Sequence, residues 1–207
     1  MVERGKSSFI GTVLGTPYTV AIGAGGAAVS RTSQGNDGGA STITNGSTTI
    51  FSAAGGKKGI YHSSGADGFA GAGGNGGSGG GAGTYTKDEK AGAGGTNGAD
   101  GGSTSGNYGA VGGTGSGQNM RPFRNSNITN LNSSDIFYYG AGGGGSARKI
   151  GSAAKGGSTG GGNGEYGTDT TIAATNGTNN TGGGGGGANS GTSGRGGSGI
   201  IMIRNAR

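Results

Sequence analysis

His62 is the single histidine in the chain, and there is no cysteine. A Ser–His or Cys–His nucleophile therefore has one possible base and no thiol. The setting of that histidine, "GIYHSSG", reads as a surface turn. Nine carboxylates remain. Asp88 and Glu89 stand between Lys87 and Lys90 in "TYTKDEKA", the pattern of a solvated loop. A glycosidase pair of Asp135 with Glu165 or Asp169 depends on separation in space, which the sequence does not fix. The phosphate-loop pattern G-x-x-x-x-G-K-[ST] is absent, and G-x-G-x-x-G recurs through composition alone. "GGTNGADGG" around Asp100 has the residue types of a calcium-binding nonapeptide without its spacing or repetition. On this reading the chain is not an enzyme, and no cofactor or metal is expected.

Binding chemistry is concentrated in 118–140, "QNMRPFRNSNITNLNSSDIFYYG". Arg121 and Arg124 carry planar guanidinium forks suited to phosphate or carboxylate. Phe123, Phe137, Tyr138 and Tyr139 offer flat faces that stack on sugar rings or cover apolar surface. Two further breaks in the glycine pattern contribute Tyr85 and Tyr166. These eight residues are the candidate receptor-binding set. A second reading stays open, in which the aromatics form a small satellite core capping the rods; Ile128, Leu131 and Ile136 are expected to cap them.

The scaffold that must position these groups is unusual. Gly supplies 61 of 207 residues. Gly65, 68, 71, 74, 77, 80 and 83 keep a strict spacing of three, as do Gly92, 95, 98 and 101, Gly106, 109, 112 and 115, and Gly191, 194 and 197. Three residues per turn is the period of the polyproline-II helix, which makes no internal hydrogen bonds. Its N–H and C=O groups must therefore find partners on neighbouring chain segments. Glycine at every third position leaves one edge of each rod as bare backbone, so rods can approach closely. Pro17 and Pro122 are the only prolines, which sets the chain apart from collagen. The expectation is a bundle of short antiparallel rods joined by loops.

The two ends read differently. "SSFIGTVLG" and "PYTVAIG" are β-rich runs broken at Thr16-Pro17. "STITNGSTTIF", from Ser41 to Phe51, predicts a hairpin with Asn45 and Gly46 at the centre of its turn. "GIIMIR", Gly199 to Arg204, is an unbroken apolar run that predicts a strand buried on both faces, paired with "FIGTVL" or "YTVAIG". The fold expected is thus mostly non-helical: N- and C-terminal strands enclosing the rods in one glycine-rich domain over 1–207. Its parts are a β-rich 1–60, rods and loops over 61–198, and a closing strand over 199–207.

Leu, Ile, Val and Phe together number 24, fewer than one residue in eight. A core built from so few large apolar groups cannot offset the ordering entropy of the chain, so order must come from somewhere else. The net charge of +6 is spread along the chain, with Lys57-Lys58 and Arg148-Lys149 the only basic doublets. That favours diffuse attraction to anions over a nucleic-acid groove. No apolar stretch approaches the length of a membrane span. "MVERGKSSFIG" lacks the apolar region of a secretory signal.

"PYTVAIGAGG", "GGASTITNGSTTIFSAAGG" and the closing "GGSGIIMIR" resemble the glycine-rich domain of phage tail-fibre and tail-tip proteins. The middle is similar to distal tail-fibre adhesins of T-even-like phages. The resemblance implies a compact bundle of polyglycine-II rods whose connecting loops bind a bacterial receptor, a surface glycan or outer-membrane protein. It further implies a place in the virion tail, outside the cell when acting, contacts with other tail proteins, and possible homo-oligomers. The alternative function is a structural virion component, a decoration or fibre-tip subunit that touches only other virion proteins. An ice-binding or matrix bundle would need regular Thr or Ala columns, and none is evident in the sequence.

Overall fold

In the computed structural model, residues 16–30, 32–59, 100–101, 116–119, 136–146, 156, 160–165, 172–188, 191–201 and 203 are described, with 116–119 and 136–139 described as backbone only. The described part contains no helix.

Thr and Ile alternate around Asn45-Gly46, and this stretch folds as the expected hairpin. Strand β2 (Ser41–Asn45) pairs antiparallel with β3 (Thr48–Ala53). The turn differs by one residue from the expectation. Asn45 is the last residue of β2 and pairs with Thr48, so Gly46 and Ser47 form the two-residue loop. Gly46 has φ +56, and Asn180 is the only described non-glycine residue with positive φ. Positive φ is thus needed at the first central position alone, the pattern that places Gly there in a type II′ turn. Strand β1 (Thr19–Ala21) lies on the other side of β2, giving the order β1-β2-β3. Val20, Ile43 and Phe51 stand opposite one another across the three strands. Only Ile43 of that row is buried, and Ile43 and Ala141 are the buried hydrophobic residues among those described.

Among the described residues the apolar core is small and order rests on backbone hydrogen bonds, whose spacing is three residues. The N–H groups of Ser193, Gly196 and Gly199 donate to the carbonyls of Val29, Gly26 and Gly23, each at 2.9 Å. Those of Gly194 and Gly197 donate to Gly186 and Gly183 at 2.9 and 2.7 Å. Those of Arg195 and Ser198 donate to the side-chain Oδ1 atoms of Asn176 and Asn179 at 3.0 and 3.5 Å. One segment thus sends three columns of donors to three different neighbours. A β-strand alternates between two sides and has no third column.

The same step recurs elsewhere. Thr175 and Thr178 donate to Asn163 and Gly160, and Gly35 and Gly38 donate to Gly59 and Gly56, both antiparallel. Gly184 and Gly187 donate to Ala141 and Gly144, and Gly162 and Glu165 donate to Gly184 and Gly187, both parallel.

Glycine makes this spacing possible by lacking a side chain. A Cβ placed on Gly25, Gly143, Gly183, Gly186, Gly194 or Gly197 would fall 1.8–1.9 Å from a neighbour's carbonyl oxygen. Each of these Cα–H groups therefore faces a carbonyl, the geometry of a weak C–H···O contact. Gly194 and Gly197 of the expected register face Thr175 and Thr178, again three residues apart. The registers from Gly65 to Gly98 and from Gly106 to Gly115 lie outside the described residues.

The closing strand departs from expectation. Residues 199–201 and 203 lie in no strand, and Ile203 is 70% exposed. The chain does meet the end of "YTVAIG", because Gly199 donates to Gly23. It arrives there on the three-residue step set by Ser193 and Gly196, which is incompatible with the two-residue alternation of a β ladder. "FIGTVL" lies outside the described residues.

Candidate functional site

The aromatic run "IFYY" forms strand β5 (Ile136–Tyr139), as β-rich residues favour. It pairs antiparallel with β4 (Ser116–Asn119). In that register Gln118 is opposite Phe137, Gly117 opposite Tyr138, and Ser116 opposite Tyr139. The ladder therefore sets Asn119 opposite Ile136, the residues that flank 120–135. Phe137, Tyr138 and Tyr139 of the candidate set lie on this ladder. Arg121, Phe123, Arg124, Tyr85 and Tyr166 lie outside the described residues, as do His62, Asp135 and Asp169.

The exit from β5 is held firmly. Gly140 follows at once with φ +68, a conformation that favours glycine, and its N–H donates to Thr181 at 2.6 Å. Residues 140–145 are all buried. Within them Ala141 accepts from Gly184, Gly144 donates to Gly162, and Gly144 accepts from Gly187. A Cβ on Gly143 would collide with Gly185. The strand that carries three candidate aromatics is thus continuous with a segment pinned on two sides.

Glu165, a member of the possible glycosidase pair, is fully buried. Its Oε2 accepts the Gly191 N–H at 3.0 Å, and its own N–H donates to Gly187. A carboxylate engaged in this way secures packing between segments. Among the described residues no group of three His, Cys, Asp or Glu side chains is placed to hold a metal ion, and no helix is long and apolar enough to cross a membrane. At the surface, Lys57 Nζ meets Asp37 Oδ2 at 2.9 Å, and the Lys58 N–H donates to Asp37 Oδ1 at 2.8 Å. The Lys57 hydrogen bond first, and the Lys58 N–H second, hold the Asp37 carboxyl below its ordinary value.

A second set of side chains escaped the sequence reading. Asn163, Asn176, Asn179 and Arg195 are exposed on three adjoining segments. Thr175 N–H donates to the Asn163 carbonyl at 2.9 Å, and Asn163 N–H donates to Thr175 Oγ1 at 2.7 Å, which joins the first two segments. Gly177 N–H donates to the Arg195 carbonyl at 2.9 Å, which joins the second to the third. The available signal was "TNGTNN", where Thr-Asn recurs after three residues at 175–176 and 178–179.

A glycine-rich domain family matches residues 3–206. The chain belongs to that family. No curated protein and no solved structure gives a match. Within the glycine-rich domain, the described part of the candidate site is the β4–β5 ladder and the buried 140–145 segment that follows it.

Proposed function

We propose that this glycine-rich domain is a phage tail-fibre or tail-tip adhesin, in which a bundle of polyglycine-II rods displays the 120–135 loop and the flanking aromatics to a bacterial surface receptor. The rod reading is supported by N–H donors that recur every third residue and by carbonyl oxygens lying where a Cβ would stand. The observation that carries the receptor reading is the anchorage of the loop. Its exit strand β5 runs without a break into the buried 140–145 segment. A loop held on a stiff base loses less entropy on binding than a free one. Loops positioned by a rigid scaffold are where recognition residues concentrate.

On this reading the protein is non-enzymatic. It sits in the virion tail among other tail proteins and works outside the cell. Arg121 and Arg124 suit anionic groups of a surface glycan, and Tyr138 and Tyr139 supply stacking faces. The test is adsorption of the purified chain to a panel of bacterial strains. Changing Arg121, Arg124, Tyr138 and Tyr139 together to Ala is expected to leave the melting temperature nearly unchanged and abolish adsorption. Parental adsorption by that folded variant would remove the receptor assignment.

A second reading, a structural subunit contacting only virion proteins, draws on the three-stranded sheet. Val20 in β1 and Ile22 just past its end are 44% and 45% exposed, and Ile50 in β3 is exposed as well. Apolar surface of that kind suits a protein neighbour.

A further inference from the structure

Asn163, Asn176 and Asn179 share one arrangement. Asn163 Oδ1 accepts the Gly156 N–H at 2.9 Å. Asn176 Oδ1 accepts the Arg195 N–H at 3.0 Å, and Asn179 Oδ1 accepts the Ser198 N–H at 3.5 Å. A backbone N–H can be met only by the oxygen of the amide, so these bonds decide which way each amide faces. The oxygen is committed to the scaffold, and the NH2 group is left pointing away from it with two hydrogens to give. All three residues are exposed, and Arg195 stands exposed beside Asn176. The result is a surface rich in donors whose acceptors have been used internally. Asn176 and Asn179 are three residues apart, a step of roughly 9–10 Å for extended chain.

We propose that this surface of Asn163, Asn176, Asn179 and Arg195 binds an acidic polysaccharide. Sugar hydroxyls, ring oxygens and carboxylates are acceptors, and a polymer presents them at regular intervals close to the repeat of a disaccharide. A guanidinium together with fixed amide NH2 groups on adjoining segments matches one carboxylate and its neighbouring hydroxyls. Among the described residues, segments 160–165, 172–188 and 191–201 carry no aromatic side chain, so the base-stacking platform of a single-stranded nucleic-acid site is missing from them. The site uses no residue of 120–135 and does not depend on the receptor role given to that segment.

Electrophoresis of the full chain through gels containing polygalacturonate, with dextran as the neutral control, tests the proposal. The parent should be retarded by polygalacturonate alone, and less so in high salt. Arg195→Glu reverses the charge. Asn176→Asp keeps an oxygen for the Arg195 N–H but turns the outward donor into an acceptor. Each should weaken retardation by about tenfold or more, with the melting temperature close to that of the parent. Lys58→Glu makes the same charge change as Arg195→Glu at another place and should bind like the parent. An unretarded parent, parental binding by Arg195→Glu and Asn176→Asp, or an equal loss in Lys58→Glu would each overturn the site, the last in favour of diffuse attraction. The variant with Arg121, Arg124, Tyr138 and Tyr139 changed to Ala should still be retarded. Failure of the loop assignment and failure of this one are thus read separately.

Discussion

Replacing Gly194 with Ala tests the principle by which the chain is held together. An added Cβ would lie 1.9 Å from the Thr175 carbonyl oxygen, 2.5 Å from its carbon and 3.0 Å from the Gly186 nitrogen. A carbon approaches a carbonyl oxygen comfortably only at about 3.3–3.6 Å. The segments must therefore part by roughly 1.5 Å, the difference between that contact and the one imposed. All the atoms met are backbone, so no side chain can turn aside. Two bonds cross the same junction, Gly194 N–H to Gly186 at 2.9 Å and Gly186 N–H to Thr175 at 3.0 Å. Whichever segment gives way, one of these bonds is lengthened by about that amount and is lost, orphaning two groups. Each orphaned group costs about 1–3 kcal/mol, which puts the loss near 3–6 kcal/mol with the steric strain included. Gly56→Ala is the control, because nothing lies within 4 Å of the added Cβ and the φ there is not positive. It should be neutral or stabilise by up to about 1 kcal/mol. Urea unfolding of the three proteins gives the comparison. Equal midpoints for Gly194→Ala and the parent would refute the close-packed account, since a flexible glycine tract tolerates alanine anywhere.

Other perturbations probe single contacts. Ser41 is buried and its Oγ accepts the Gly23 N–H at 2.9 Å, so Ser41→Ala should cost about 1–3 kcal/mol in thermal unfolding, and an unchanged melting temperature would count against the contact. Glu165→Ala leaves a cavity and deprives the Gly191 N–H of its acceptor, so chemical denaturation should report a loss of at least about 2 kcal/mol. Asp37 is held below the ordinary carboxylate value of 3.8, so its contribution is present above that value and fades as pH falls through the lower, folded value. Asp37→Asn should therefore melt slightly below the parent at pH 7 and level with it in strong acid, whereas a gap that persists at acid pH would deny the ion pair its role. Asn176→Ala should speed amide exchange at Arg195 more than at Gly194 or Gly196, whose acceptors are Gly186 and Gly26; uniform acceleration across 193–199 would contradict the three-column scheme.

Much of the fold was legible where local chemistry decides it. The Thr/Ile runs around Asn45-Gly46 give a hairpin because alternation and a turn glycine act within a few residues, and the one-residue offset at Ser47 arises because only Gly46 requires positive φ. The step of three at Gly194 and Gly197 was legible as well, since excluding a Cβ is a property of the glycine itself. What the sequence could not yield was which segment meets which. Val29 and Ser193, or Asn163 and Thr175, are joined by backbone bonds that leave no mark on residue type. "GIIMIR" misled because its apolar side chains favour a strand, yet Gly199 is already committed to the three-residue ladder. Asn176 and Asn179 were overlooked because Thr- and Asn-rich stretches ordinarily read as loop.

A segment with three columns of donors also bears on how such a protein can carry a binding site. From 193 to 199 every N–H has a partner, and the partners lie on three separate segments. Displacing the segment toward one neighbour strains its bonds to the other two, so stiffness arises from connectivity, without a large apolar core. Selection then acts on two nearly independent sets of positions. The inward positions must be glycine, because a carbonyl oxygen occupies the place of the side chain, as at Gly183 and Gly186. The outward positions and the loops meet no such restriction. Arg195 contributes its N–H and carbonyl to the lattice while its guanidinium is left for solvent or a ligand. Tyr139 is followed directly by Gly140 and the buried 140–145, so the chain passes from β5 to buried scaffold within one residue. A scaffold that is indifferent to its outer side chains allows new receptor contacts to arise at the loop or on the asparagine face without loss of fold. On the proposed reading, that indifference is the physical reason a chain with 61 glycines can serve recognition.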